Sequence, residues 1–466
     1  MQTRLTELEH QMADSASKIP ENRLLHCAEV REQFEALDGY ALEARMEAVI
    51  AGLGLDEPMG ATVGSLSGGT TTKLSLARLL LSNAGILLLD EPTNYLDLAA
   101  LLWLERFISR RNHSYVLVSH DRRFLDRTVT GILELEPETH TVREWTGTYT
   151  DYAMGKERER RKQVESYRDQ QEHVAKVEED IRRVKEQARG VERSTQSDVQ
   201  PRYAKKVAKK AVVRERKLQR EVDREGEIAK PVKGWNLHLE GLGRDLITDE
   251  RMVLQIDDLH AGYGDEEVLC GASLLIRGRD RVALLGENGS GKSTLIRCIT
   301  GAIPYRGSIR IGPSLRMGVL SQEAEELPPN ATPLTIVRER RHMPEGDARS
   351  YLHKFLFAGA EALKPVSALS YGQRAKLALA VLILSDANFL VLDEPTSHMD
   401  MQALEAMEVA LAAYQGPMLL ISHDRAFVEA VGITRIEVLQ EGKLIAVQSI
   451  DAYERSLTPQ PGPVTL

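Results

Sequence analysis

Two stretches of this chain carry the same short motifs, in the same order and at the same spacing, and no other feature restricts the possible folds as much. Leu66-Ser-Gly-Gly-Thr70 answers Leu369-Ser-Tyr-Gly-Gln373, Leu87-Leu-Leu-Asp-Glu-Pro-Thr93 answers Leu390-Val-Leu-Asp-Glu-Pro-Thr396, and Ser119-His-Asp-Arg122 answers Ser422-His-Asp-Arg425. The serine precedes the aspartate by 23 residues in both copies (Ser67 to Asp90, Ser370 to Asp393), and the aspartate precedes the histidine by 30 (Asp90 to His120, Asp393 to His423). Motifs recurring at fixed offsets indicate a duplicated domain. Each copy reads as a helix after the first motif, a short apolar strand ending at the carboxylates, another helix, and a strand ending at Ser-His-Asp. Gly85 to Leu89, Tyr115 to Val118, Phe389 to Leu392 and Met418 to Ile421 are therefore expected to be fully buried parallel strands with polar residues at their carboxyl ends, which makes the fold class α/β.

The second copy also carries Gly286-Glu287-Asn288-Gly289-Ser290-Gly291-Lys292-Ser293-Thr294, between an apolar strand (Arg281 to Leu285) and a helix (Thr294 to Ile299). GxxxxGKS in that context is a phosphate-binding loop: glycines let backbone NH groups turn toward phosphate, Lys292 reaches the β and γ oxygens, and Ser293 ligates Mg2+. Thr294 is placed for an α-phosphate contact. An acidic pair at a buried strand end is costly to desolvate without a task. Asp393 is therefore assigned to the Mg2+ shell, Glu394 to the attacking water and His423 to the γ-phosphate, a set sufficient for ATP hydrolysis, where positioning and charge stabilisation dominate. Two further positions stay open between readings. Gln322, after the strand Leu315 to Leu320, is either a contact to Mg2+ or water or a solvated surface residue, and Tyr263 either stacks on adenine or is a core or edge tyrosine.

The first copy has no such loop ahead of it. In the second copy the loop begins 84 residues before the signature serine (Gly286 to Ser370), and the same offset from Ser67 falls ahead of Met1. The expectation is an N-terminally truncated chain, short by roughly 50 residues or more on the repeat spacing. Residues 1 to 50 do not fill the gap, since Leu5, Leu8, Met12, Val30, Phe34, Leu37 and Tyr40 read as helices.

The net charge of -9 conceals a local basic element: residues 156 to 230 hold 23 Lys and Arg against 16 Asp and Glu. Val164, Tyr167, Val174, Val177, Ile181, Val184 and Ala188 form a narrow apolar stripe on one long helix. Gly190 to Pro201 reads as a loop, and Ala204, Val207, Ala208, Ala211, Val212 and Leu218 restart a helical stripe, giving an antiparallel hairpin. Residues 200 to 220 hold nine basic residues and one acidic. Arg202, Lys205, Lys206, Lys209, Lys210, Arg214, Arg216 and Lys217 then form either a cationic face for RNA phosphates or the solvated face of a coiled coil. No apolar run approaches the roughly 20 residues of a membrane span. No secretory leader pattern is present, and Cys27, Cys270 and Cys298 lack metal-ligand spacing, so a cytoplasmic chain with inert thiols is expected.

Phosphate loop, glutamine loop, LSGGQ-type signature, acidic strand end and switch histidine together resemble the ATP-binding cassette superfamily. The resemblance implies tandem P-loop ATPase domains docked head to tail within one chain, a monomer when full length, with each ATP between the loop of one domain and the signature of the other. The working site would combine Lys292, Ser293, Gln322, Asp393, Glu394 and His423 with Ser67, Gly68 and Gly69. The mirror site would use Glu91, His120, Ser370, Tyr371, Gly372 and Gln373, and stay vacant. Tandem cassettes, no membrane span, Pro-Thr-Asn-Tyr-Leu-Asp97 and the basic linker look like the ABC-F class, translation and ribosome-protection factors, which implies the ribosome (rRNA and tRNA) as partner. Departures are Tyr95 where the family usually has His, Ser397-His-Met-Asp400 in the second copy, Thr70 for Gln, and Tyr371 for the first signature glycine. The expected domains are 1–150 (incomplete first cassette), 151–231 (hairpin), 232–455 (complete second cassette) and 456–466 (disordered tail). The alternatives are the soluble ATPase subunit of a transporter, a DNA-associated tandem ATPase, and a truncated pseudo-enzyme.

Overall fold

A computed structural model describes residues 30–32, 39–55, 62–82, 84–110, 114–136, 139–193, 209, 213, 251–320, 327–396 and 399–457. The first copy contains α1 (Gly39–Gly52), α2 (Gly68–Leu80), β1 (Ile86–Asp90), α3 (Leu98–Arg110), β2 (Ser114–Val118) and α4 (Arg122–Thr128). The intervening segment contains β3 (Gly131–Glu136), β4 (Thr141–Thr146) and α5 (Tyr149–Arg193). The second copy opens with β5 (Met252–Tyr263), β6 (Glu266–Arg277), β7 (Arg281–Leu285), α6 (Lys292–Ile299), β8 (Arg306–Ile311) and β9 (Met317–Leu320). It continues with α7 (Pro333–Arg341), α8 (Glu345–His353), α9 (Tyr371–Leu384), β10 (Phe389–Asp393), α10 (Met401–Ala413), β11 (Met418–Ile421), α11 (Arg425–Ala430), β12 (Arg435–Gln440), β13 (Lys443–Val447) and α12 (Ile450–Leu457). Two compact units result: residues 1–128 with 235–466, and residues 129–234.

In the larger unit a six-stranded sheet runs β13-β12-β7-β11-β10-β9, parallel except for β13. Its strands are apolar on both faces because both faces are covered. Val282, Leu284, Phe389, Val391, Leu419 and Ile421 enter one core with α6 and the antiparallel sheet β6-β5-β8. The alternating residues Ala283, Leu285, Leu390, Leu392, Met418 and Leu420 enter another, which also takes in α2 and α3 of the first copy. Parallel strands of this kind leave their carboxyl ends, and the residues beyond them, at one edge of the sheet.

The first copy departs from the expected burial. Its strands do pair in parallel, Ile86 to Ser114 through Asp90 to Val118. Leu87 and Leu89 are buried, but Ile86 and Leu88 are 62% and 70% exposed, and Val116 and Val118 47% and 53%. The reason is the missing second layer: among the described residues the first copy has no counterpart of the β6-β5-β8 sheet and α6, so that face stays open.

In the smaller unit the hairpin of β3 and β4 anchors the start of α5. Glu134 accepts hydrogen bonds from Trp145 Nε1 (3.1 Å), the Tyr152 hydroxyl (3.1 Å) and Lys156. Helix α5 spans 45 residues and runs to Arg193, through Gly190 and into the stretch expected to be a loop. Along it Tyr167, Val174 and Val177 are half-buried and Ile181 is buried, following the predicted stripe, although Val164 is exposed. Of the second helical stripe and the basic residues, Lys209 alone is described, and it is exposed; Arg202, Lys205, Lys206, Lys210, Arg214, Arg216 and Lys217 lie outside the described residues. So do Leu5, Leu8, Met12, Phe34 and Leu37. The last helix, α12, runs to Leu457, two residues into the stretch 456–466 expected to be a disordered tail, and it buries Glu454.

Equivalent positions in the two copies give a direct check. Ile421→Ala should cost about 2 to 5 kcal/mol in denaturant unfolding, whereas Val118→Ala, on the open face, should stay within about 0.5 kcal/mol. Equal losses would mean the first sheet is covered on both sides.

Candidate functional site: a cleft between the two copies

The phosphate loop leaves β7 and enters α6 through three glycines with positive φ, Gly286 (148°), Gly289 (82°) and Gly291 (102°). A Cβ at Gly286 would lie 2.7 Å from the Leu439 carbonyl, and one at Gly291 2.7 Å from Val268 Cγ1, so only glycine fits these places. The loop wraps around Lys292, whose ammonium donates to the carbonyls of Gly286 (2.9 Å) and Glu287 (2.8 Å). Burial lowers the Lys292 pKa, opposed by Glu394, Asp97 and Asp393. Ser293 Oγ donates to Asp393 Oδ2 at 3.1 Å, which joins the start of α6 to the end of β10. Ser290 Oγ is buried and makes no hydrogen bond. These features fit a bound phosphate chain and its cation. The loop is a cradle that a side chain would fill, with one buried hydroxyl left over, and a serine–aspartate pair is the small oxygen set with which Mg2+ is held beside phosphates.

Beyond the strand ends the backbone turns sharply in both copies. Glu394 N donates to the Ile421 carbonyl (2.9 Å) and Glu91 N to the Val118 carbonyl (2.8 Å), one step past each ladder. That extra bond places both glutamates in the left-handed region, at φ 47° and 46°, a conformation costing on the order of 1 to 3 kcal/mol and typical of functional turns. Glu394 Oε1 lies 3.4 Å from His423 Nε2 and makes no hydrogen bond, and Glu91 Oε1 lies 3.2 Å from His120 Nε2. Burial pushes the Glu394 carboxyl up to about 7, with Lys292 pulling it back, and burial pushes His423 down to about 3. The pair is thus a carboxyl that titrates near neutrality beside a neutral imidazole, the charge state suited to a proton acceptor. Burial also raises the carboxyls of Asp393 and Glu91.

The first copy contributes directly to this loop. Asp97 Oδ2 accepts from the Asn288 amide at 3.1 Å, and the Tyr95 carbonyl accepts from Asn288 Nδ2 at 2.7 Å. Ser67 caps α2 by accepting from Thr70 N (3.1 Å), so the first signature opens a helix whose N-terminus favours anions. Ser67, Gly69, Lys73, Asp97, Lys292, Asp393, Glu394 and His423 line one cleft of about 1490 Å³. Gly68 opens α2 beside them and is exposed.

Other predicted residues divide. Glu287, Asn288, Gly289, Gly291, Ser293 and Thr294 line the cleft, and so does Tyr263. Tyr263 is 48% exposed at the end of β5 and accepts from Arg297 Nη1 at 2.9 Å, so it is a cleft residue and not a core one. Its hydrogen bonds, to Thr294 first and then Arg297, lower its pKa. Glu91 and His120 line the same cleft, whereas Ser370, Gly372 and Gln373 do not. The second signature forms a capping box, Gln373 N to Ser370 Oγ (3.2 Å) and Ser370 N to Gln373 Oε1 (3.0 Å), with Tyr371 opening α9. Gln322 lies outside the described residues. Sequence reasoning missed Lys73, Asp97 and Arg297 as cleft residues; Asp97 stands inside a quoted motif, and only its contact across the copies was unforeseen.

The titration order is measurable. In 13C spectra the Glu394 carboxyl should ionise near pH 7, and Glu394→Gln should raise the melting temperature above that pH. The sign follows from linkage: a carboxyl raised from 4.5 to about 7 binds its proton more tightly when folded, so stability falls as pH rises through that window. A resonance already ionised at pH 5 would contradict the burial.

Comparison with known proteins agrees with this geometry. The ABC transporter family model matches residues 3–94 and 269–397. The ribosome protection protein VmlR of Bacillus subtilis (strain 168) is 32% identical over 382 residues, 81% of this chain and 69% of VmlR. The ATP-binding protein Uup of Escherichia coli (strain K12) is 34% identical over 416 residues, 88% of this chain and 61% of Uup, so the chain spans about three fifths of that relative's length. Among solved structures, an archaeal ribosome recycling factor, aABCE1, shares the fold at TM-score 0.58 and 19% identity over 89% of this chain and 72% of that one. The paired cassettes, the loop and the relatives place this chain in the ATP-binding cassette superfamily, within its ABC-F class.

Proposed function

We propose that this protein hydrolyses ATP in the cleft between its two cassettes and uses the closed state to act on the ribosome. The observation that carries the first part is the pair of bonds from Asn288 to Asp97 and Tyr95, by which the first cassette meets the phosphate loop of the second. Ser293 and Asp393 would hold Mg2+, which when bound neutralises phosphate charge. Lys292 exchanges its loop carbonyls for phosphate oxygens, and the N-terminus of α2 at Ser67, Gly68 and Gly69 approaches from the opposite side. Glu394 takes a proton from water, and neutral His423 orients the γ-phosphate. Glu91 and His120 form the corresponding pair of the first cassette.

The ribosomal target is supported by the similarity to VmlR, a ribosome protection protein, and by the basic composition of residues 200 to 220. Arg202, Lys205, Lys206, Lys209, Lys210, Arg214, Arg216 and Lys217 would meet rRNA or tRNA phosphates, in a protein whose cassettes pair within one chain. No helix among the described residues is long and apolar enough to cross a membrane.

Glu394→Gln should retain ATP binding and lose turnover by about 100-fold or more, the size of a general-base contribution, measured as phosphate release at saturating ATP. Unchanged hydrolysis would remove Glu394 from the site. Glu394→Gln with ATP should co-sediment with ribosomes, and neutralising Lys205, Lys206, Lys209 and Lys210 should weaken that binding and flatten its salt dependence by up to about 0.9 log unit per phosphate contact, taking the slope known for nucleic-acid phosphates. Co-sedimentation indifferent to salt and to these lysines would exclude the RNA contact.

A further inference from the structure

Glu105 and Glu408 occupy equivalent places, each 15 residues past the aspartate ending its strand (Asp90, Asp393), and Arg122 and Arg425 each follow the switch histidine by two. Across the copies they pair reciprocally. Arg122 Nη1 donates to Glu408 Oε2 at 3.0 Å, and Arg425 Nη2 donates to Glu105 Oε1.

The two contacts differ in their surroundings. Arg425 is 2% exposed, and its Nη1 donates to Glu454 Oε1 of α12 at 3.0 Å. Arg127 bridges the same two carboxylates from the other side, Nη1 to Glu105 Oε2 (2.9 Å) and Nη2 to Glu454 Oε2 (3.1 Å). Four side chains thus close a ring of charge-assisted hydrogen bonds built by both cassettes. At the reciprocal contact Arg122 also donates Nε to the sulfur of Met401 at 3.2 Å, and its charge acts on Asp424 as that of Arg425 acts on Asp121.

The ring also touches the switch turns. Asp121 Oδ2 lies 3.8 Å from Arg425 Nη2, while Asp121 and Asp424 each cap the next helix by accepting from Phe124 N and Phe427 N, both at 2.9 Å. Burial raises Asp424 to about 6, and the Asp121 carboxylate across the interface adds to the rise. The His120 and His423 turns therefore face each other, and a buried guanidinium two residues from His423 takes part of its charge compensation from the opposite cassette. A buried charge keeps its place only while its partners are present.

We propose that Arg425, held by Glu105, is a positioning residue for ATP hydrolysis: it sets the turn carrying His423 when the cassettes dock, so that closure and placement of His423 are one event. The inference rests on the ATPase reading above. The test is steady-state hydrolysis by the full 466-residue chain, with melting temperatures recorded and assays run well below them. Glu105→Gln, which keeps the side-chain shape, and Arg425→Lys, which keeps the charge but loses the two-ended guanidinium fork, should each lower kcat about fivefold or more with KM changed less than about twofold, the scale of an ordinary coupling energy. Their double variant should be no slower than the worse single one, since neighbours in one network are non-additive. Glu408→Gln removes an equivalent pair from the same interface and should leave kcat within about twofold, again below that coupling scale. If Glu408→Gln slows hydrolysis as much as Glu105→Gln, the pairs only hold the cassettes together and the proposal is overturned. Hydrolysis unaffected by Glu105→Gln overturns the inference alone, whereas an unmutated chain without hydrolysis overturns the ATPase reading along with it.

Discussion

The amide of Asn288 donates to a carboxylate of the other cassette, and much of the site depends on that bond. Asp97 divides its two oxygens: Oδ1 accepts from Ala100 N at the start of α3 (3.0 Å), and Oδ2 goes to the phosphate loop. The equivalent Asp400 caps α10 in the same way, accepting from Ala403 N (2.8 Å), but its Oδ2 takes the ammonium of Lys376 at 2.7 Å. One oxygen thus serves the cassette interface in the first copy and the copy's own helix in the second. Lys73, at the position of Lys376, is left buried at the cleft. The duplication supplied the same residues twice, and their environments gave them different partners.

The acidic strand ends set the chemistry that such docking can use. Asp393 ends a strand buried on both faces, Glu394 follows it directly, and both line the cleft. Desolvation is the largest influence on Asp393, Glu394, His423 and Lys292 alike. It works against each charged form and leaves the four groups dependent on one another for compensation. A positive-φ turn and a carboxyl raised to about 7 both cost stability, and the two-sided core of the second sheet offsets that cost.

The motif residues were legible in the sequence because their constraints are local: Gly286 and Gly291 allow no side chain, and Asp393 must end a buried strand. The parallel pairing of β1 with β2 and of β10 with β11 followed from apolar runs ending in polar motifs. What escaped was non-local. Nothing in Ile86 to Leu89 tells that one face lacks a covering layer, since Leu88 and Val391 are equally apolar but 70% and 0% exposed. The continuation of α5 through Gly190 was hidden because a single glycine costs only about 1 kcal/mol in a helix, which a long helix absorbs. The Arg425–Glu105–Arg127–Glu454 ring draws on residues up to 349 positions apart and becomes visible only when the copies are docked.

The open face of the first sheet clarifies what that copy contributes. Leu87 and Leu89 point into the covered side, where Leu76, Ala77 and Leu80 of α2 and Leu101, Leu104 and Ile108 of α3 share the core with the second copy. The first signature at the start of α2, Asp97 before α3, and Glu105 within it are therefore all carried on the packed face or next to it. The face left open is the one that, in the second copy, bears α6 and the antiparallel sheet. Each cassette divides into a layer that presents a signature and a layer that supports a phosphate loop, and the first copy's described residues build only the former. Leu76, Ala77 and Leu80 of α2 pack in the shared core, and Ser67 at the start of that helix lines the same cleft as Lys292 although the first sheet is open on one face.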